Sequence, residues 1–143
     1  MNTNSDNPRV GREFQEFARN ILSKHFNTVF NTEISIPIGD PPKPHKFDCV
    51  SLDGNIIGEC KCYTWTETGN IPSAKMGFIN EAVFYMSYLP ATKKKIVIMK
   101  KAIHVKRNET LAEYYCRING HLLNGITVLE LDTDISKLVV VKE

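Results

Sequence analysis

Two acids and a lysine in the middle of the chain are the residues best placed to do chemistry. The stretch reads Lys46-Phe47-Asp48-Cys49-Val50-Ser51-Leu52, then Asp53-Gly54, then Asn55-Ile56-Ile57-Gly58-Glu59-Cys60-Lys61-Cys62-Tyr63. Asp-Gly between two β-forming runs predicts a two-residue type I′ hairpin, in which both central positions take positive φ. Counting outward from that turn sets Leu52 opposite Asn55, Val50 opposite Ile57, and Asp48 opposite Glu59. Lys61, two residues on, projects from the same face. Like charges directly opposed destabilise a strand pair, and at about 5 Å they repel by roughly 3 kcal/mol at an effective dielectric of 20. A divalent cation converts that repulsion into chelation, and magnesium selects hard oxygen ligands. Protonation of one carboxylate is the other relief.

The chemistry this set can perform is metal-assisted attack on a phosphodiester. Asp48 and Glu59, helped by the backbone carbonyl of Cys60, are the candidate metal ligands. A cation held there polarises a phosphate oxygen and acidifies water. The Lys61 ammonium is the candidate for orienting that water and stabilising developing negative charge. The competing reading of Glu59-x-Lys61 is an exposed charged strand, which leaves the opposition of Asp48 and Glu59 without a purpose.

Asp48, a spacer of strand and turn, then Glu59-Cys60-Lys61 resembles the PD-(D/E)xK motif of the restriction-endonuclease-like nuclease superfamily. Phe47 stands where the motif has its proline. The resemblance implies a magnesium-dependent endonuclease, with manganese as a substitute ion, that leaves a 5′-phosphate and a 3′-hydroxyl. It also implies an acidic residue near the metal from the N-terminal helix, a short step after a glycine. Counting from Gly11 lands on Gln15, an amide, and Glu13 is the acidic alternative on the other shoulder of the helix. Both also suit solvated helix positions.

The elements that must position these groups follow from periodicity. Asn7-Pro8 is a cap followed by a first-turn proline. The helix over 9–24 carries Phe14, Phe17, Ala18, Ile21 and Leu22 on one face. Residues 27–38 read as a strand with a bulge near Asn31, and the proline-rich 39–44 as a loop. After the hairpin, 64–72 is a polar loop containing Trp65. Ser73 is the expected cap of a helix running to about residue 89, apolar over more than one stripe. Residues 96–99 are a strand covered on both faces. Asn108 is the expected cap of a helix through 123, and 126–131 is a further strand. Residues 138–141 are a last strand or a packed tail. The order αβββαβαβ predicts a mixed central sheet flanked by helices. It is also the order of the restriction-endonuclease-like core, so the resemblance extends over nearly the whole chain.

Length and composition set the remaining bounds. With 143 residues the chain suits one domain, expected over 8–143 after a flexible 1–7. Net charge is only +2, so a nucleic-acid footprint must come from clustering. Lys93, Lys94 and Lys95, with Lys100, Lys101, Lys106 and Arg107, are candidates for tracking phosphates or for solubilising strand ends. Lys75 is a candidate phosphate contact on the metal face, and Trp65 either stacks on a base or packs its loop. Alternation puts Cys49, Cys60 and Cys62 on the opposite face, together with His45 if its strand starts early. Those four are a conceivable zinc site, although small buried thiols under a helix fit the spacing better. The polar N-terminal residues, the absence of a spanning apolar run, and four cysteines together predict a cytoplasmic protein with free thiols. DNA is the expected partner ahead of RNA, with no membrane, and a homodimer follows if both strands of a duplex are cut. The alternative is a catalytically silent nucleic-acid-binding or assembly module with the same fold.

Overall fold

The computed structural model describes residues 7–143, so most of the segment expected to be flexible (1–7) lies outside the described residues. Asn7 itself is anchored: its side chain accepts the Arg9 N–H at 2.9 Å and caps α1, Pro8–His25. The elements that follow are β1 (Phe30–Ile38), β2 (Lys43–Ser51), β3 (Ile56–Lys61), α2 (Ser73–Met86), β4 (Lys94–Lys100), α3 (Leu111–Asn119), β5 (Ile126–Asp132) and β6 (Lys137–Lys142). Residues 138–141 thus belong to a strand.

All six strands form one mixed sheet in sequence order. β1, β2 and β3 are an antiparallel meander, β3, β4 and β5 run parallel, and β6 returns antiparallel. Two strand–helix–strand crossovers place α2 and α3 together on one face. There Met76, Ile79, Val83 and Met86 of α2 and Leu111 and Tyr115 of α3 bury against Val50, Ile57, Val97, Met99 and Val128. α1 covers the other face alone, setting Phe14, Ala18 and Leu22 against Phe30, Cys49, Ile96, Ile98 and Leu129. Continuous apolar runs in β4 and β5 follow from this double cover. Among the described residues no helix is long and apolar enough to cross a membrane.

Local details differ from the expectations. β1 starts at Phe30 because Asn27 turns the chain with φ +51° and Val29 remains exposed. The β1–β2 register does not shift near Asn31; the irregularity lies two residues on at Glu33, φ +53°, where the pairing skips Glu33 and Asp48. Ser73 is the first helical residue rather than a cap, and α2 ends at Met86. α3 is capped by Thr110, not Asn108. The Thr110 hydroxyl accepts the Glu113 N–H at 3.2 Å while the Glu113 carboxylate accepts the Thr110 N–H at 2.8 Å. That helix is also shorter, giving way to a 3-10 turn at Gly120–Leu122.

Candidate functional site: an acid pair where two strands part

The hairpin that holds the acids has the expected register, with Val50 opposite Ile57. Its turn is of a different kind. Only Gly54 has positive φ (+76°), and its N–H bonds the Ser51 carbonyl at 2.8 Å. The Ser51 hydroxyl takes the Ile56 N–H at 2.9 Å, and the Asp53 carboxylate takes the Asn55 N–H at 2.9 Å. Side chains thereby supply bonds that a type I′ turn would leave to the backbone.

Pairing between β2 and β3 ends at Cys49 and Gly58, so the strands part at the next step. There the Asp48 carboxylate accepts the Cys60 N–H at 2.8 Å, standing in for the lost ladder bond. A residue's N–H and C=O leave a strand on the same side. The Cys60 carbonyl therefore also faces the gap beside Asp48 rather than β4.

Glu59 stands next to Asp48 on the α2 face and is 6% exposed. Burial first, then a hydrogen bond with Asp48 and the Asp48 charge, push its carboxyl up to about 9; the Lys61 charge partly opposes this. The charged form is penalised by desolvation and by its neighbour, and Lys61 offsets only part of the cost. Glu130 is the other buried acid of the described residues, but it stands on β5 across from Met99, with Oε2 lacking a protein partner.

His45 belongs to this cluster, not to the cysteine face. Its Nε2 lies 3.4 Å from Glu59 Oε1, and its ring stacks on Tyr85 of α2 with centroids 4.2 Å apart. The kink opposite Glu33 explains the change of side: Phe47 buries under α2 and α3 whereas Cys49, two residues on, buries under α1. A straight strand would put both on one face. The zinc set is therefore divided by the sheet, and no group of three or more His, Cys, Asp or Glu residues among the described ones could hold a metal. Cys49 and Cys60 meet at 3.7 Å between sulfurs. That contact, then burial, raises the Cys60 thiol, and burial raises Cys62. All three thiols pack against the core under α1.

Tyr63 and Lys75 complete the rim. The Lys61 and Lys75 ammoniums lie 5.9 and 5.5 Å from the Tyr63 ring centroid. Burial, followed by the charge of Asp48, pushes the Tyr63 phenol up to about 12, so it stays a neutral donor. Tyr63 and His45 are site residues that the motif does not mark. His45 is three residues before Asp48 and Tyr63 two after Lys61; only proximity along the strands could have flagged them.

The other candidates lie elsewhere. Glu13 sits 3.9 Å from Arg9 and lines a shallow cavity with Cys62 and Lys100 on the α1 face. Gln15 is half-buried on the same helix. Trp65 is not a base-stacking surface: it is 5% exposed, donates Nε1–H to the Ala102 carbonyl at 3.1 Å, and is covered by Arg107 at 4.5 Å. The lysine cluster does not rim the acids as one surface. Lys94 pairs with Ile56 whereas Lys61 pairs with Met99, about 17 Å further along β4. Lys93 bonds Asn55 beside the hairpin turn at 3.3 Å, and Lys95 pairs with Ile57, at the same end.

Asp48, Glu59 and the Cys60 carbonyl are the hard oxygen atoms that this cluster brings together, two of them carboxyl groups and one of those buried. No family model matches the chain, and neither a curated protein nor a solved structure does.

Proposed function

We propose that the protein is a magnesium-dependent endonuclease with the restriction-endonuclease-like fold, hydrolysing phosphodiester bonds in DNA. One observation carries this reading: a buried carboxyl, Glu59, is held against a second one, Asp48, with the Lys61 ammonium close enough to feel it. An acid pair retained at that cost is explained by an ion that takes both. When bound, the ion neutralises phosphate charge and acidifies a water molecule.

The chain's own groups do the rest. Asp48 and Glu59 would hold the ion, and the bond from the Cys60 N–H fixes the Asp48 carboxylate in place. His45 bears on Glu59 from the groove side and limits its rotation. The Lys61 ammonium, beside the Tyr63 ring, would hold the attacking water and offset charge on the phosphoryl oxygens as the 3′ oxygen departs. Lys75, entering from the first turn of α2, adds a second cation towards the flanking phosphate. The mixed sheet, the αβββαβαβ order followed by β6, and the Asp48, Glu59, Lys61 set support the family reading jointly.

The placement of Glu13 beside Arg9, and an amide at position 15, favour a second reading, a silent module that binds nucleic acid without cutting it. One experiment separates them. Wild type, Lys61→Ala and Glu59→Ala are incubated with linear, single-stranded and branched DNA, in magnesium or chelator. Scission should require magnesium and fall by roughly 100-fold or more in both variants. Equal scission by Lys61→Ala would overturn the catalytic assignment. Tight binding with no scission would favour the silent module.

A further inference from the structure

Beside the acids lies a groove of about 370 Å³ between the β1–β2 end of the sheet and α2. Pro44, Lys43 and His45 form one wall, and Phe84, Tyr85 and Tyr88 the other. Three observations point to its occupant. First, Phe84 and Tyr88 are 59% and 53% exposed although α2 buries a full apolar face elsewhere, and Phe84 meets Tyr88 edge-on at 5.4 Å. These rings gain little from the fold itself, and more than half of each stays open to solvent. Second, the groove runs into the site through His45, whose ring stacks on Tyr85 at 4.2 Å while Nε2 reaches Glu59 at 3.4 Å. Third, the charged side chain lining it is an ammonium, Lys43, and no carboxylate lines it.

We infer that this groove takes an unpaired nucleotide: a base stacked among Phe84, Tyr85 and Tyr88, its phosphate near Lys43, with the strand continuing towards Glu59 and Lys61. A base inside a duplex has both faces covered by neighbours and cannot enter; an unpaired one can. A planar, sequence-tolerant wall next to a cation is the arrangement that grips single strands. A second copy of the chain would find here aromatic rings but also a lysine aimed at it. The inference rests on the nuclease reading for the direction of the strand, and it sharpens the substrate from DNA in general to DNA with an unpaired segment next to the scissile bond.

The test measures binding in chelator, so that cleavage does not enter. The probes are a fluorescein-labelled oligothymidylate of about a dozen nucleotides and a blunt duplex of similar length. Wild type should prefer the single strand by roughly tenfold or more. Phe84→Ala and Tyr88→Ala, both at exposed positions, should each weaken single-strand binding by about tenfold with duplex binding and melting temperature unchanged. Tyr88→Phe should retain the affinity. Equal affinity for both probes, no effect of either alanine, or no binding at all would overturn the inference. So would a concentration-dependent mass abolished by Phe84→Ala without single-strand preference, since a second copy would then cover the face. Ring-dependent binding without scission in magnesium would leave the groove standing and remove the nuclease. Scission indifferent to both alanines would do the reverse.

Discussion

Replacing Glu59 by glutamine should make the metal-free protein more stable, and by an amount that depends on pH. In the folded chain the Glu59 carboxyl is pushed from its ordinary 4.5 to about 9, chiefly by burial and then by Asp48. Between those values the folded state holds a proton that the unfolded chain has released. Stability therefore falls as pH rises through this window, is highest below about 4.5, and levels off above about 9. At pH 7 the interval above 4.5 corresponds to about 3 kcal/mol, at roughly 1.4 kcal/mol per pH unit. Glutamine keeps the shape and can donate its amide to Asp48, so the penalty disappears while the contact remains. Urea unfolding at pH 5, 6, 7 and 8 in chelator should show the wild-type curve descending relative to Glu59→Gln, with the two nearly equal at pH 5. Magnesium should then raise wild-type stability and release close to one proton per ion, seen as a buffer-dependent heat in titration calorimetry, and do neither in the variant. A Glu59→Gln protein less stable than wild type at pH 7, or parallel pH curves, would refute the argument.

Asp48→Ala should go the other way in chelator, costing about 1–3 kcal/mol, because it leaves the Cys60 N–H without its acceptor; Asp48→Asn, which keeps an oxygen, should recover most of this in the same urea assay. Gly58→Ala should cost about 1–3 kcal/mol, since a new Cβ would meet Ile96 Cγ1 and Ile98 Cδ1 at 3.0 Å on a strand with buried neighbours; thermal melting checks it. Trp65→Ala should lose about 3–5 kcal/mol. As the one tryptophan of the chain, and a buried one, Trp65 should keep its emission when oligonucleotide is added to wild type. Lys75→Ala should weaken duplex binding more than Lys94→Ala does, by fluorescence anisotropy at fixed salt, because Lys75 shares the Tyr63 ring with Lys61 whereas Lys94 stands at the turn end of β4.

What the sequence conveyed well was whatever depends on short-range periodicity. The Phe14, Ala18, Leu22 stripe, the continuous apolar run over Ile96–Met99 and the Asp53-Gly54 turn each determine an element or a register on their own; the register Val50–Ile57 holds, although pairing stops one step short of Asp48 and Glu59. What escaped it depends on partners distant in the chain. Lys93–Lys95 group in the sequence with Lys100 and Lys101 as one basic cluster, whereas the parallel pairing of β4 with β3 sets Lys93–Lys95 at the other end of the strand from Lys61. Trp65 reads as a loop residue until Ala102 and Arg107 close over it. The α3 cap is different: Thr110 and Glu113 have the spacing of a capping box, a local signal that outranks Asn108.

His45 shows why the site is more than its motif. Strict alternation from Cys49 sends it to the α1 face, and alternation fails at Asp48, where the β1–β2 pairing skips a step at Glu33 and the β2–β3 pairing stops. A carboxylate that replaces a ladder bond must turn into the gap, and the strand it belongs to must bend away to make room. The same bend swings Phe47 and His45 under α2, where His45 gains Tyr85 and closes over Glu59. The cover that His45 gives Glu59, the side to which the Cys60 carbonyl turns and the groove wall at His45 thus meet at one place, the step where β2 and β3 part.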